Sequence, residues 1–170
     1  AKKILGGGFG DWGLWTLALS TDGTVWSWGH NVAGQVGNGG LAASSIPVRV
    51  GSLANIVDIA AGTDHGLAVG SDGSVWRWGW PESSVSFTPD TLPVRIVGLS
   101  DIVAISAGHR FNLALRNDGR VFAWGDNSLG QLGDGSGVFR ANPVQVPMLT
   151  AVRSIASGSA SSFAIKSNGS

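Results

Sequence analysis

Several stretches of this sequence have residue types and spacings that could do chemistry. Gly8-Phe9-Gly10-Asp11-Trp12-Gly13 has the G-x-G-x-x-G spacing. That spacing holds a pyrophosphate only when a helix follows, so that helix amides can face the phosphates. Here Leu14-Trp15-Thr16-Leu17-Ala18-Leu19 and a hairpin turn follow, which read as a strand, so the glycines mark a bulged or longer loop. Asp126-Asn127-Ser128-Leu129-Gly130-Gln131-Leu132-Gly133-Asp134 has the acidic spacing of a calcium loop. It lacks the glutamate at the twelfth position and the flanking helices, and its counterpart earlier in the chain has His30 in place of Asp126. The reading is a turn whose Asn and Asp side chains bond local amides. His30, His65 and His109 fall at unrelated local positions with no H-x-x-x-H pair, so no zinc site is expected. With no cysteine and no G-x-S-x-G elbow, neither a thiol nor a serine nucleophile is signalled. Asn168-Gly169-Ser170 spells a glycosylation sequon but reads as another hairpin turn. The expectation is a protein that is not an enzyme and takes no cofactor or metal.

Composition points to what must position these residues. Among 170 residues, 27 are glycine, 8 tryptophan and 13% charged, with eleven basic side chains balancing eleven acidic ones. A net charge of zero argues against nucleic acid, which is bound through basic surfaces. Glutamate, lysine and methionine are scarce, which disfavours helix apart from the contribution of alanine. No apolar run reaches the roughly 20 residues of a membrane span. Ala1-Lys2-Lys3-Ile4-Leu5 reaches Gly6-Gly7-Gly8 after two apolar residues, so no signal peptide is expected to remain. The Gly/Ser/Ala/Trp bias fits a secreted or cell-surface prokaryotic setting better than a nucleus.

The sequence repeats itself. Leu17-Ala18-Leu19-Ser20-Thr21-Asp22-Gly23-Thr24-Val25-Trp26-Ser27-Trp28-Gly29 returns as Leu67 to Gly79, with Asp72, Gly73, Trp76 and Trp78, and again as Leu113 to Gly125, with Asp118, Gly119 and Trp124. Phe163-Ala164-Ile165-Lys166-Ser167-Asn168-Gly169 begins a fourth copy; the Asp-Gly or Asn-Gly pairs are 50, 46 and 50 residues apart. Asp-Gly between alternating apolar runs predicts a hairpin, with a type I′ turn at its tip. A short apolar strand precedes each copy at Ile4, Ile56, Ile102 and Val152, and a fourth strand is expected to start at Pro47, Pro93 and Pro143, where a sheet edge needs no donor. Four antiparallel strands per roughly 48 residues describe a β-propeller blade. The fold expected is therefore all-β, about 3.5 blades, with repeats at 1–55, 56–101, 102–151 and a partial one at 152–170. Trp26, Trp28, Trp76, Trp78 and Trp124 are expected between blades, each N–H held on a loop carbonyl.

After the tryptophan strand, Trp28-Gly29-His30-Asn31-Val32-Ala33-Gly34-Gln35-Val36-Gly37-Asn38-Gly39 is matched by Trp124-Gly125-Asp126-Asn127-Ser128-Leu129-Gly130-Gln131-Leu132-Gly133-Asp134-Gly135. This resembles the regulator-of-chromosome-condensation repeat family. The second unit departs after Trp78-Gly79, running Trp80-Pro81-Glu82 with no Gly-Gln pair. The family's frequent histidine before the Leu-Ala-Leu strand survives only as His65, with Trp15, Phe111 and Ser161 in its place.

The resemblance implies a seven-bladed ring of about 340 residues, of which this chain supplies about half the strands. Such a half-ring exposes blade faces and a strand edge. A fragment of a longer propeller is favoured over two chains completing a ring, because a pair would meet with duplicated strands at the join. Either way, another protein or further propeller blades are the expected partners. Rim loops on a rigid scaffold carry binding residues, and the candidates lie where the chain departs from its own repeat: Asp11, Trp12, Trp15, Trp80, Glu82, Phe87, Arg110, Phe139 and Arg140. Family members include an exchange factor for a small GTPase, a photoreceptor and enzyme inhibitors, so fold does not fix function. The expectation is a non-enzymatic protein–protein interaction scaffold. A guanine-nucleotide exchange factor-like regulator, or a carbohydrate-binding propeller using Trp12, Trp15 and Trp80, are the alternatives.

Overall fold

The computed structural model describes residues 1–8, 13–80 and 88–169. Among them, fourteen strands form and no helix. The first sheet runs β1 (Lys3–Gly7), β2 (Trp15–Leu19), β3 (Val25–Gly29), β4 (Ser44–Arg49). The second runs β5 (Ile56–Ala61), β6 (His65–Gly70), β7 (Val75–Gly79), β8 (Asp90–Arg95), and the third β9 (Ile102–Ala107), β10 (Phe111–Arg116), β11 (Val121–Gly125), β12 (Arg140–Gln145). A two-stranded sheet, β13 (Val152–Ser157) and β14 (Ser162–Lys166), follows. Within each sheet every strand pairs antiparallel with its chain neighbour, as in propeller blades.

The hairpin tips differ from the type I′ expectation. Gly23 has φ 78° and Gly73 has φ 76°, but Asp22 and Asp72 are not left-handed. Ser20 N donates to Thr24 O and Gly23 N to Ser20 O, which makes a three-residue loop: a type I turn closed by a left-handed glycine. The aspartate is needed for its side chain, since Asp22 Oδ1 accepts from both the amide and the hydroxyl of Thr24. Those bonds, the hydroxyl first, hold the Asp22 carboxyl below its ordinary range.

The prolines also differ from expectation. Pro47, Pro93 and Pro143 are the fourth residue of β4, β8 and β12, not the first. These outermost strands slip register where proline sits: Val48 pairs Ser27, yet Ser44 pairs Gly29. Proline is tolerated at such an irregularity because a sheet edge leaves one row of amides without a ladder partner.

Sheets stack face to face, and the repeat says which residue meets which. Leu17, Leu19 and Val25 of the first unit pack on Ile56, Ile59, Ala68 and Trp78 of the second. Leu67, Val69 and Val75 then pack on Ile105, Ala114 and Trp124 of the third, and Leu113, Leu115 and Val121 on Val152, Ile155 and Ala164. Each unit thus offers a trailing Leu/Val face to a leading Ile/Ala/Trp face, and each Leu, Val or Ile fully buried there contributes about 1.5–3 kcal/mol.

Backbone bonds stitch the same junctions. Ile56 N donates to Gly23 O, Ile102 N to Gly73 O and Val152 N to Gly119 O. The residue before each of these strands turns left-handed to aim that amide: Asn55 (φ 56°), Asp101 (φ 58°) and Ala151 (φ 57°).

Among the described residues, the first and last sheets are each packed on one face only. Ile4 is equivalent to Ile59 by its pairing with Ala18, yet is 61% exposed where Ile59 is 0%. At the other end Phe163 and Ile165, equivalent to Leu67 and Val69, are 59% and 44% exposed.

Candidate interaction surface

The repeat motif itself is consumed by the scaffold. Asn31 Nδ2 donates to Gly40 O (3.0 Å) and Ala42 O (2.9 Å), while its Oδ1 accepts from Val36 N (2.9 Å). Gln35 Oε1 accepts from Ala33 N, and its Nε2 donates to His30 Nδ1. Left-handed Gly34 and Gly37 let the loop fold back on these side chains. Asn127 and Gln131 repeat the arrangement, with Asn127 Nδ2 donating to Asp134 Oδ1 and Ser136 O, and Gln131 Nε2 to Asp126 Oδ2. Asp134 also accepts from Arg140 Nε at 2.7 Å. The Ser136 hydroxyl, then this guanidinium, hold its carboxyl well below the usual carboxylate range. Among the described residues no group of three or more metal-ligating side chains forms.

The tryptophans divide into two kinds. Trp78 Nε1 donates to Gln35 O of the preceding unit at 2.8 Å, the loop carbonyl expected. Trp26 and Trp76 instead donate to the hydroxyls of Thr24 and Ser74 at their own hairpin tips, because a serine or threonine two residues back lies on the same strand face. Trp124 Nε1 is buried and finds no acceptor among the described residues. Its counterpart Trp78 relies on the Gly-Gln loop of the unit before, and the unit before Trp124 is the one without it.

The position that varies between Trp15, His65, Phe111 and Ser161 lies over the glycine ending the previous strand: Gly7, Gly62 and Gly108 are each covered by the facing ring. Two of these rings reach into the next unit. Trp15 Nε1 donates to Thr63 O at 2.9 Å, and His65 Nε2 to Asn112 Oδ1 at 2.8 Å. Trp15 is 2% exposed. Its place in a binding loop is therefore corrected: the indole faces the neighbouring unit because β2 alternation turns it the same way as Leu17 and Leu19.

The other candidates have a common location where they are described. Asp126 N donates to Arg110 O and Trp80 N to Asp64 O, as His30 N does to Leu14 O. These bonds align Leu14, Asp64 and Arg110 as acceptors and His30, Trp80 and Asp126 as donors, so Leu14, Arg110 and Trp80 share one rim, with Leu14 72% exposed. Arg110 is exposed, and Trp80 and Phe139 are half-buried. Arg140, on the same rim at the start of β12, is half-buried and tied to Asp134 and Ser136. Asp11, Trp12, Glu82 and Phe87 lie outside the described residues. At the inner ends of the same sheets lies an open depression of about 290 Å³, floored by Gly6, Gly62, Gly108 and Gly158 and edged by Thr63 and His109, which share a hydrogen bond of 2.7 Å. This depression escaped the sequence reading, although the Ala-Gly ending of β5 and β9 marked it.

Comparison with known proteins decides the family. The model of the Regulator of chromosome condensation (RCC1) repeat matches residues 22–69 and 118–165, and a second RCC1 repeat model matches 56–84 and 102–131. The chain belongs to the RCC1 repeat family. Each of the longer matches starts at a hairpin tip and ends in the second strand of the next sheet, so an RCC1 sequence repeat spans a junction between blades. Human WBSCR16 superposes with a TM-score of 0.79 at 28% identity, over 91% of this chain and 43% of that one. Prp20p of Saccharomyces cerevisiae, described for its binding to Gsp1p and histones, superposes with a TM-score of 0.79 at 26% identity, over 98% and 42%. The ectodomain of the Arabidopsis thaliana receptor kinase ACR4 shares the fold at 17% identity and TM-score 0.57, over 96% and 53%. The chain thus spans less than half the length of WBSCR16 and Prp20p.

Proposed function

We propose that this chain is a non-enzymatic protein-binding scaffold, in which RCC1-type blades hold one rim rigid for a protein partner while the open blade faces take further propeller units. One observation carries the reading. The residues that recur between units are used up in closing loops and junctions, whereas Trp80, Arg110 and Phe139, which do not recur, stand on one rim. A regulatory role follows from family membership, and the specific partner from whichever protein fits that rim. Prp20p supports a small GTPase of the Gsp1p kind as one partner to try. The carbohydrate alternative loses one of its three tryptophans with the burial of Trp15.

The test is binding of the wild type and of a Trp80→Ala, Arg110→Glu variant with matched melting temperature. The panel is a Gsp1p-type GTPase, histones and a glycan array. Binding to a protein that weakens about tenfold or more in the variant is expected, the size of a rim anchor. Binding to glycans alone, or protein binding indifferent to both substitutions, would overturn the proposal.

A further inference from the structure

We propose that the groove between the first two sheets binds an extended peptide of a partner protein, with prolines flanked by acidic residues. This surface is distinct from the rim, because the groove meets β7 at Trp76, the opposite end from Trp80. Gly51, Ser52 and Leu53 form one wall, and Trp76, Leu92 and Pro93 the other, around about 490 Å³. That volume lies within the roughly 300–1,000 Å³ of small-ligand sites. Both walls belong to complete four-stranded sheets at a junction inside the chain. The repeat explains why the groove is open here. Val50, Ile96 and Val146 are equivalent, each donating its amide to the carbonyl of Val25, Val75 or Val121. The next residue is Val97 or Pro147 in the later units but Gly51 in the first. A Cβ on Gly51 would lie 2.8 Å from Cδ of Pro93, so only glycine leaves the space clear.

Trp76 is uncovered in the same way. Its equivalents carry guanidinium groups, Trp26 that of Arg49 at 5.7 Å and Phe122 that of Arg116 at 5.3 Å. Among the described residues no cation lies over Trp76, and its N–H is already taken by Ser74. A flat indole beside proline and leucine suits a proline-rich segment, whose preformed extended helix loses little entropy on docking. Charge selects what flanks the prolines. Arg95 is the Cα partner of Trp76 across β7 and β8, and directly opposite residues hold their side chains on one face, roughly 5 Å apart. Arg95 is exposed and makes no ion pair among the described residues. The Asp72 carboxyl is held below its ordinary range first by the Ser74 hydroxyl and then by its amide, with Arg95 the least of the causes. On the other wall the exposed Arg49 donates to Leu53 O at 3.1 Å. Two guanidinium groups thus border an apolar groove, and carboxylates beside the prolines would pair with them.

The probe is a labelled peptide of four prolines with two aspartates at each end, compared with the same peptide carrying lysines. Fluorescence anisotropy with the 170-residue chain is expected to give a Kd on the order of 100 μM for the acidic peptide. In NMR titration the Trp76 indole N–H should shift while that of Trp80 stays in place. Arg95→Glu should weaken the acidic peptide about tenfold or more and make the lysine peptide the better ligand. Loss of fold could not produce that reversal. Arg95→Gln serves if reversed charge beside Asp72 prevents folding, and should abolish the preference between the two peptides. Leu92→Asp, at a half-exposed side chain, should weaken the acidic peptide as well. No binding at about 2 mM peptide, weaker than a specific site requires, would overturn the proposal. So would equal binding of both peptides by the wild type, or a shift at Trp80 in place of Trp76. A wild-type dimer in light scattering that Leu92→Asp dissolves would also overturn it, by giving the groove to a second copy. Peptide binding unchanged by Trp80→Ala, Arg110→Glu is expected, so this proposal and the rim reading stand or fall separately.

Discussion

Single residues here are constrained by neighbours one unit away. A side chain at Gly62 would overlap the His65 imidazole, which is buried and held by Asn112. Gly62→Ala should cost about 1–3 kcal/mol in urea unfolding, the range for overpacking a fixed site. Gly158 is its repeat equivalent, but a side chain there meets only ordinary contacts at 3.9 Å because Ser161 stands where His65 would. Gly158→Ala should change stability by less than about 0.5 kcal/mol. Ala151 has the left-handed backbone that Asn55 and Asp101 adopt more readily. Ala151→Gly should therefore stabilise by about 0.5–1 kcal/mol, read as a raised denaturation midpoint. Asp118 tests the electrostatics. Its hydrogen bond with the Arg116 guanidinium leads the causes that pull its carboxyl from 3.8 to about 2. A depressed folded value means the contribution is present above the unfolded value and lost as pH falls from about 4 towards 2. Carbon NMR of the Asp118 carboxyl should titrate near 2, and Arg116→Ala should move that midpoint back towards 3.8.

At the scale of elements, the loop after the tryptophan strand is held by one asparagine. Asn31→Ala removes three bonds and strands the Val36 amide, which should cost about 1–3 kcal/mol and leave the strands intact by far-ultraviolet circular dichroism. Much at this scale was legible beforehand. Alternation around Asp22, Asp72 and Asp118 located the β2–β3, β6–β7 and β10–β11 hairpins, and the Asn-Gly-Gln spacing located the capped loops. What escaped depends on geometry that letters do not carry. Asp-Gly fits two turn types, and only the left-handed state of Gly23 alone separates them. Pro47 looked like a strand start because a slip in register cannot be seen in one strand. Trp15 looked like a loop residue because its partner, Thr63 O, lies 48 residues away. The aligned candidates of the rim were legible only as departures from the repeat; their shared position came from the backbone bonds at Asp64 and Arg110.

For the whole molecule, stability in a stacked array is a sum of units and junctions. The second and third units have a junction on each side. Amide exchange should therefore be slowest in their inner strands β6 and β10, and protection there no greater than in the outermost strands β8 and β12 would contradict additive stacking. The backbone stitch between units has a consequence for biosynthesis. At each junction the accepting carbonyl, at Gly23, Gly73 or Gly119, lies about thirty residues before the amide it captures. Translation at roughly 5–20 residues per second completes that interval in a few seconds. A hairpin tip that has left the ribosome thus already displays the acceptor for the strand still emerging, so blades can be laid down in the order in which they are made.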